Sequence, residues 1–577
     1  MKLSAIALDY DGTIARHNTL EPSVRQAIAA ARASGVVVLL VTGRILDELR
    51  QVAGDLHFVD GVVAENGAIV HFPDSGHSSR LAPLAPEAFL AALQRLDIPH
   101  RAGQCLVDTD ADHATRLLEV IRQTQLPLVL LFNGGRVMTL PQGVSKATGL
   151  HAALDTLRLS AHNTVAVGDA ENDHELLRMA GVGAAVQWGS RALRAAADLE
   201  IEGPGPSAVS AFIEGLARTG QMPQPIRARR RLRLGHLADG REFSLAVRGR
   251  HVLIAGDARS GKSWVAGLLC EQLILHGLCV CVIDPEGDYR SLEALPGVTV
   301  LGGDDPPPTP REIARALRYP DRSLVIDLSH CRQDEKIEYI RAVLPELNAL
   351  RRQTGFPHRV VVDEAHYFLH DSDAMRLLDL DGSAYTFVTY WASRLPPALL
   401  SAAEVLLVTR ESNPLEVAAL RRRCTTCDTA GETPWDVVGR LATGQAAALP
   451  VTEEAQGALQ VFTLGPRLTP HVRHREKYVD VPVGDARAFD FGPARRGARR
   501  AATLRQFVAE LEGGDVRSLD PFIVRGDFSR WVRDVFGDYP LAADLERLEA
   551  SHRRAATPDT LAEIARTVRA RYELDAA

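Results

Sequence analysis

Apolar residues along the chain gather mainly into short continuous runs, separated by stretches in which they recur every three to four positions. Continuous runs suit strands buried on both faces, and the spaced stretches suit amphipathic helices packed over them. In the first third the runs are Ile6-Ala-Leu8, Val36-Val-Val-Leu-Leu-Val41 and Thr164-Val-Ala-Val167, with a helix from Pro22 to Ser34. A second series starts with the strand opening at His251, followed by an apolar-periodic helix through Leu269. It continues through Cys279–Ile283, Ser323–Leu328, Arg359–Val362, Thr386–Thr389 and Val405–Val408, with helical stretches between most of them, notably Ile337 to Arg352. This alternation predicts α/β architecture with mostly parallel sheets. Between about 76 and 140 the pattern differs. Phe89–Leu93, Leu117–Ile121 and Leu128–Phe132 predict a small α+β insertion. Beyond 466, amphipathic helices are expected at Leu504–Leu511 and Pro558–Tyr572, with Pro558 at a first helical position. A third is expected within 525–536, capped by Asp527 or Ser529.

Parallel sheets place their chemistry at the carboxyl ends of strands, and several strands here end in polar motifs. The first ends in Asp9-Tyr-Asp11-Gly-Thr13, the second in Thr42-Gly-Arg44, and a third in Gly168-Asp-Ala-Glu-Asn-Asp173. One of two carboxylates spaced by a single residue can attack a phosphoryl group while the other moves a proton, with Mg²⁺ screening the repulsion. Thr42 and free backbone N–H groups would hold phosphate oxygens, and Asp169 and Asp173 supply further acidic ligands. Lys146 lies between, in Val144-Ser-Lys-Ala-Thr148.

Gly256-Asp-Ala-Arg-Ser-Gly-Lys-Ser263 fits G-x-x-x-x-G-K-S between a strand and a helix. Backbone N–H groups from Gly256 through Arg259, Ser260 and Gly261 would wrap ATP phosphates; Lys262 would reach the outer ones and Ser263 would hold Mg²⁺. The strand 359–362 runs into Asp363-Glu364-Ala-His366. An Asp there can orient Mg²⁺ through water, and the Glu can polarise the attacking water.

A length of 577 residues implies about three to four domains, and 46% hydrophobic with 24% charged residues is soluble globular composition. A net charge of −7 argues against wholesale nucleic-acid binding. The seven scattered Cys fit a reducing compartment. No apolar run approaches the roughly 18–20 residues of a membrane span, and an early acid argues against a signal peptide, so the expected location is cytoplasmic with no membrane partner. Of 66 basic residues five are Lys, and two of these, Lys146 and Lys262, fall at the two phosphate motifs. Three features stay structural in this reading or undecided. Arg227–Arg233 reads as a solvated linker and first strand, Cys424-Thr-Thr-Cys427 as free thiols, and Pro470–Tyr478 as either an anion contact or a solvated strand.

Residues 1–215 resemble the haloacid dehalogenase (HAD) superfamily of Mg²⁺-dependent phosphatases, in its Cof-like or sucrose-phosphatase-like, type IIB branch. Asp-x-Asp-Gly-Thr, Thr-Gly-Arg, Glu65-Asn-Gly-Ala68, Ser145-Lys146 and Gly-Asp-x-x-Asn-Asp occur in that family's order. The resemblance implies a Rossmann-like core with a small cap, Asp9 as nucleophile and Asp11 as general acid/base. It further implies Thr42 and Lys146 as phosphate binders, Asp9, Asp11, Asp169 and Asp173 around the metal, and a small phosphorylated substrate.

Residues 231–465, after a linker at 216–230, resemble HerA/FtsK-like P-loop ATPases of RecA type. The P-loop, Asp284-Pro-Glu-Gly-Asp-Tyr289 and Asp-Glu-Ala-His carry that likeness. It implies ATP and Mg²⁺ as cofactors, Glu364 as catalytic, and a homo-oligomer, commonly a hexamer. Two departures stand out. Asp257 puts a carboxylate in the phosphate loop, where it is expected to face solvent. Thr389-Tyr-Trp-Ala-Ser-Arg394 replaces a γ-phosphate-sensing Gln, with Arg394 or Arg410 as candidate trans-acting fingers. Residues 466–577 are expected to be an accessory helical module. The whole reads as a phosphomonoester hydrolase joined to an ATPase. Two alternatives remain: a nucleic-acid translocase with the HAD domain as end-processing unit, and an ATP-gated switch controlling the phosphatase.

Overall fold

The computed structural model describes residues 1–225, 230–246, 249–382, 384–422, 434–450, 459–470, 479, 483, 487–494, 497–536 and 538–572. Cys424, Cys427, Arg227, Arg229 and all of Pro470–Tyr478 beyond Pro470 lie outside these. The chain forms two compact units. One comprises Met1–Arg230 with Arg318–Asp321 and Ala349–His358; the other comprises Arg231–Leu317, Arg322–Asn348 and Arg359–Ala577.

In the first unit, Ala5–Asp9 lies inside an eight-stranded sheet, parallel to Thr164–Gly168 on one side and Val37–Val41 on the other. All five of its residues are buried, because separate apolar cores cover the two faces of the sheet. Register pairs Asp9 with Val41 and Leu8 with Val167, so the Asp9, Thr42 and Asp169 segments leave the sheet side by side. Ile69–Phe72 and His77–Arg80 close one edge antiparallel, so the strand at the expected start of the insertion belongs to the main sheet. The insertion is an antiparallel four-stranded sheet, ordered Leu128–Asn133, Arg136–Pro141, Val107–Asp110, His100–Ala102. Helices Glu87–Arg95 and Ala114–Thr124 accompany it over a core of its own around Phe89, Leu93, Leu117 and Val137.

Helix Pro206–Thr219 follows the last core strand, and the arginines after it have protein partners. Arg230 donates to the carbonyls of Arg178, Met179 and Ala180 at 2.8, 2.8 and 2.9 Å. Arg231 bonds Ser244, and Arg233 pairs with Glu242. Arg230 is therefore built into the fold, whereas Arg231 and Arg233 stay exposed with surface partners, as expected of a solvated first strand.

The second unit holds an eleven-stranded sheet. Val405–Val408, Val252–Ala255, Ala384–Thr389, Arg359–Val362, Val280–Asp284, Ser323–Asp327 and Val298–Gly302 run parallel in that order. Gln445–Pro450, Gln460–Leu464, Leu232–Leu237 and Glu242–Leu245 extend it antiparallel. One strand thus separates the phosphate-loop strand from the strand ending at Asp363. Helix Gln333–Thr354 is longer than expected and carries Pro345 inside.

The C-terminal segment pairs Phe489–Ala494 with Gly497–Ala501 beneath five helices: Leu504–Glu512, Val516–Arg525, Asp527–Trp531, Tyr539–Arg554 and Thr560–Tyr572. Phe489, Phe507, Phe528 and Trp531 interlock at ring-centroid separations of 4.8–5.5 Å. Two expectations fail here. The last helix starts at Thr560, leaving Pro558 before it. Helix Asp527–Trp531 has Gly526 at its N-cap and no capping side chain of its own. Glu549 serves instead, its carboxylate accepting from the backbone N–H groups of Phe528 and Ser529 and from the Ser529 hydroxyl. Among the described residues no helix is long and apolar enough to cross a membrane.

Candidate functional sites

At the strand edge of the first unit, Lys146 Nζ donates to Asp9 Oδ1 at 2.6 Å and to Asp173 Oδ1 at 2.7 Å, with all three side chains buried. Helix Lys146–Leu157 is aimed by a Ser145/Thr148 capping box and by a close approach at Gly67. A Cβ there would lie 1.9 Å from the Ser145 carbonyl oxygen. Asp173 Oδ2 accepts from the N–H groups of Asp169 and Ala170, and Thr13 donates to Asp169 Oδ1 at 3.1 Å. Asp9, Asp169 and Asp173 each present an oxygen within 4.8 Å of one another, a spacing that suits one cation. Burial pushes the Asp9 carboxyl well above its usual range; Lys146 opposes this, while Asp173 and Asp169 add to it. Burial and Asp173 push Asp169 up to about 6. Burial would lower the Lys146 ammonium, but Asp173 and Asp9 together raise it, so it stays charged. Three carboxylates against one ammonium leave negative charge that a hard divalent cation with oxygen ligands would neutralise.

Asp11 is not in this cluster. Its two oxygens accept from Arg44 Nε and Nη2 at 2.7 and 2.5 Å, which turns its carboxylate toward the Thr42-Gly-Arg segment. Thr42 is buried, its hydroxyl accepting from Arg44 N–H at 3.1 Å and its N–H donating to Val63 O. Sequence reading missed what Glu65 does. Its buried carboxylate accepts from the N–H groups of Gln104, Cys105 and Leu106 at 3.0, 2.8 and 3.1 Å, tying the inserted sheet's 103–106 turn to the loop beside Thr42.

In the second unit the phosphate loop runs from Ala255 into helix Lys262–Leu275, with Gly256 and Gly261 at φ +149° and +105°. A Cβ at Gly256 would come within 2.1 Å of Thr409 Oγ1, so the loop is packed tightly against the end of the next strand. Ser260 Oγ bonds Thr409 Oγ1 at 2.5 Å and donates to Asp257 O at 2.7 Å. Lys262 Nζ donates to Asp257 O at 2.8 Å and lies 5.6 Å from the Tyr390 ring centre. Ser263 Oγ donates to Asp288 Oδ2 at 2.8 Å. Asp288 belongs to the Asp284–Tyr289 turn, whose shape is fixed by Asp284 accepting four backbone N–H groups. Burial, with Asp288 adding, pushes Asp284 up to about 7.

The expectation that Asp257 faces solvent is wrong. Its carboxylate is fully buried and accepts from Ser412 N–H at 3.1 Å and Ser412 Oγ at 2.8 Å, with Arg410 Nε at 3.4 Å. The acid in the loop is thus turned into the protein, and Arg410 is engaged inside its own chain. Arg394 lies over the Trp391 ring at 3.5 Å. Asp363 Oδ1 accepts from Glu364 N–H, and Glu364 takes a left-handed backbone at φ +48°, a conformation uncommon outside Gly, Asn and Asp. His366 bonds Thr389 Oγ1 at 3.0 Å, and the Tyr367 and Tyr390 hydroxyls meet at 2.6 Å. An aromatic group of His366, Tyr367, Tyr390 and Trp391 therefore stands at the strand end where a sensing Gln was missing from the sequence.

Two family models match the chain. One, haloacid dehalogenase-like hydrolase, matches residues 6–95 and 87–213; the other, the central domain of helicase HerA, matches 232–369. A phosphoglycolate phosphatase of Methanosarcina acetivorans is 32% identical over 231 residues, covering 38% of this chain and 99% of that protein. One from Natronomonas pharaonis is 29% identical over 227 residues, 37% of this chain and 97% of its own length. A solved phosphatase structure of the HAD superfamily from Bacteroides thetaiotaomicron is 20% identical, covering 38% of this chain and 96% of that one with a TM-score of 0.32.

Proposed function

Because the chain belongs to the haloacid dehalogenase-like hydrolase family through its first 213 residues, we propose that its first unit hydrolyses a small phosphorylated acid of the phosphoglycolate type with Mg²⁺, while its second unit binds and hydrolyses ATP. The observation that carries the first part is Lys146 bridging Asp9 and Asp173, with Asp169 completing the acidic triad. Mg²⁺ held by Asp9, Asp169 and Asp173 would screen the meeting of carboxylate and phosphate.

Asp9 attacks phosphorus through a carboxylate oxygen, the P–O ester bond breaks, and the leaving alkoxide takes a proton from Asp11. A water then attacks the aspartyl-phosphate, giving its proton to Asp11 and releasing phosphate and free Asp9. For this Asp11 rotates off Arg44. Lys146 and Thr42 hold the phosphoryl oxygens. Support for the substrate class comes from the relatives, which are named phosphoglycolate phosphatases and are matched along nearly their whole length.

The ATP reading is supported by the formed loop at Gly256–Ser263 and by the contact from Ser263 to Asp288. Arg259, Ser260, Gly261 and Lys262 would wrap the phosphates, Ser263 and Asp363 would hold Mg²⁺, and Glu364 would polarise the water. The HerA-like match also supports association of several copies as part of this reading. Of the linker arginines, which could have served nucleic acid, Arg230 instead holds the fold.

The test is a pair of variants assayed on phosphoglycolate and on ATP. Asp9→Asn is expected to lower phosphatase turnover by about three orders of magnitude while ATP turnover stays within twofold. Lys262→Ala is expected to do the converse. Loss of both activities in either variant would show the centres to be one system, and a full phosphatase rate in Asp9→Asn would remove Asp9 as nucleophile.

A further inference from the structure

Arg259 stands in the middle of the phosphate loop with a left-handed backbone, φ +61°. A bulky residue takes that conformation only where its surroundings hold it. The Arg259 side chain reaches out to the chain's last described helix. Arg259 Nη1 donates to the Arg571 carbonyl oxygen at 2.5 Å, and the guanidinium lies over the Tyr572 ring, 4.2 Å from its centre. Both partners are neutral groups, and neither forms the forked, charge-assisted pair that a guanidinium makes with phosphate.

The helix end is itself anchored. Arg571 Nε and Nη2 each donate to the Asp538 carboxylate at 2.9 Å, and the Tyr572 hydroxyl donates to it at 3.1 Å. Asp538 also caps helix Tyr539–Arg554 by accepting from Leu541 N–H. Tyr572 is buried by its own module, so its ring is a fixed platform. The guanidinium can serve the ring and carbonyl or a polyphosphate, but not both.

Resting on the ATP reading above, we infer that the C-terminal helix is a latch on the phosphate loop: it withholds Arg259 from nucleotide phosphates, restrains ATP binding, and is released when ATP captures Arg259. Linkage makes the effect reciprocal, because a helix that disfavours nucleotide is loosened by it to the same degree.

The test uses the full-length chain, Mg²⁺ and a fluorescent ATP analogue. Tyr572→Leu removes the ring and keeps apolar bulk, whereas Tyr572→Phe keeps the ring. Losing one cation–π contact and the pose of one hydrogen bond predicts about three- to tenfold tighter analogue binding and faster ATP turnover in Tyr572→Leu, with Tyr572→Phe within about twofold of wild type. In the wild-type chain, amide exchange across Thr560–Tyr572 rises when a non-hydrolysable ATP analogue binds. Equal or weaker binding in Tyr572→Leu, or unchanged exchange, overturns the latch. If that variant does not fold, the wild-type exchange comparison decides alone. Lys262→Ala sets the zero: if neither wild type nor Tyr572→Leu binds above it, the ATP reading itself falls. If wild type binds and Tyr572→Leu binds equally, the latch alone falls.

Discussion

A carboxylate inside a phosphate-loop motif is an electrostatic burden unless something turns it into the protein, and at Asp257 three groups do. Ser412 supplies an N–H and a hydroxyl, and Arg410 supplies charge. The consequence falls on the neighbour, Glu411. Burial, and then the charge and hydrogen bonding of Asp257, push the Glu411 carboxyl up to about 9, with Asn413 N–H opposing and Glu416 adding. Glu411 therefore keeps its proton in the folded chain at neutral pH, while the unfolded chain loses it near the ordinary carboxyl value. Folded protein binds more protons than unfolded over that interval, so stability falls as pH rises from the carboxyl range toward about 9 and levels off above it. Glu411→Gln cannot ionise. The expected outcome is a thermal midpoint that drops less between pH 6 and 9 than in wild type; parallel curves would mean that Glu411 is already ionised at pH 6.

At the scale of elements, strands buried on both faces announce themselves, and those covered on one side do not. Ala5–Asp9, Val252–Ala255 and Arg359–Val362 are continuous apolar runs because cores lie above and below them. Val298–Gly302 sits at the sheet's edge, mostly half-buried, and its sequence carries no such run. Helices Val516–Arg525 and Tyr539–Arg554 are not among the expected elements; the first carries Pro521 inside it and the second has Pro540 in its first turn. Candidate site residues at strand ends could be found because the chemistry sits inside a local motif. The roles of Glu65, Asp288, Thr409 and Glu549 could not, since each acts on a partner in another element that only the fold brings near. Arg230 belongs with them. Its Nη2 faces three carbonyls at the end of helix His174–Met179, groups that the helix itself leaves unsatisfied, while its Nη1 lies 2.7 Å from His162 Nδ1. Arg230→Ala is expected to cost about 2–3 kcal/mol of first-unit stability, and Arg230→Lys about half of that, because an ammonium lacks the planar fork. Equal losses in thermal unfolding would assign the effect to packing of the side-chain stem.

At the scale of the whole molecule, the two phosphate centres lie in units with separate cores, and the family relatives set the minimum for the first of them. Those phosphatases are matched over 97–99% of their length by 37–38% of this chain, so everything their chemistry requires lies before the second unit begins. Yet the first unit here is not a contiguous stretch, since it also draws on Arg318–Asp321 and Ala349–His358. Catalysis and stability should therefore separate when the chain is cut. The acidic triad, Lys146, Thr42 and the inserted sheet with its Glu65 tether all lie within residues 1–225. A 1–230 fragment, which keeps Arg230, should hydrolyse phosphoglycolate with kcat within about threefold of the full chain, a factor of three in rate being under about 1 kcal/mol in barrier height. It should unfold at lower temperature than the first unit does in the intact protein, because it lacks the segment 349–358. A folded fragment with no phosphatase turnover would mean that the second unit contributes to the first centre, and the ATP-gated alternative would then displace two independent centres. An active fragment as stable as the intact unit would instead show that segment 349–358 adds nothing to the fold of the phosphatase.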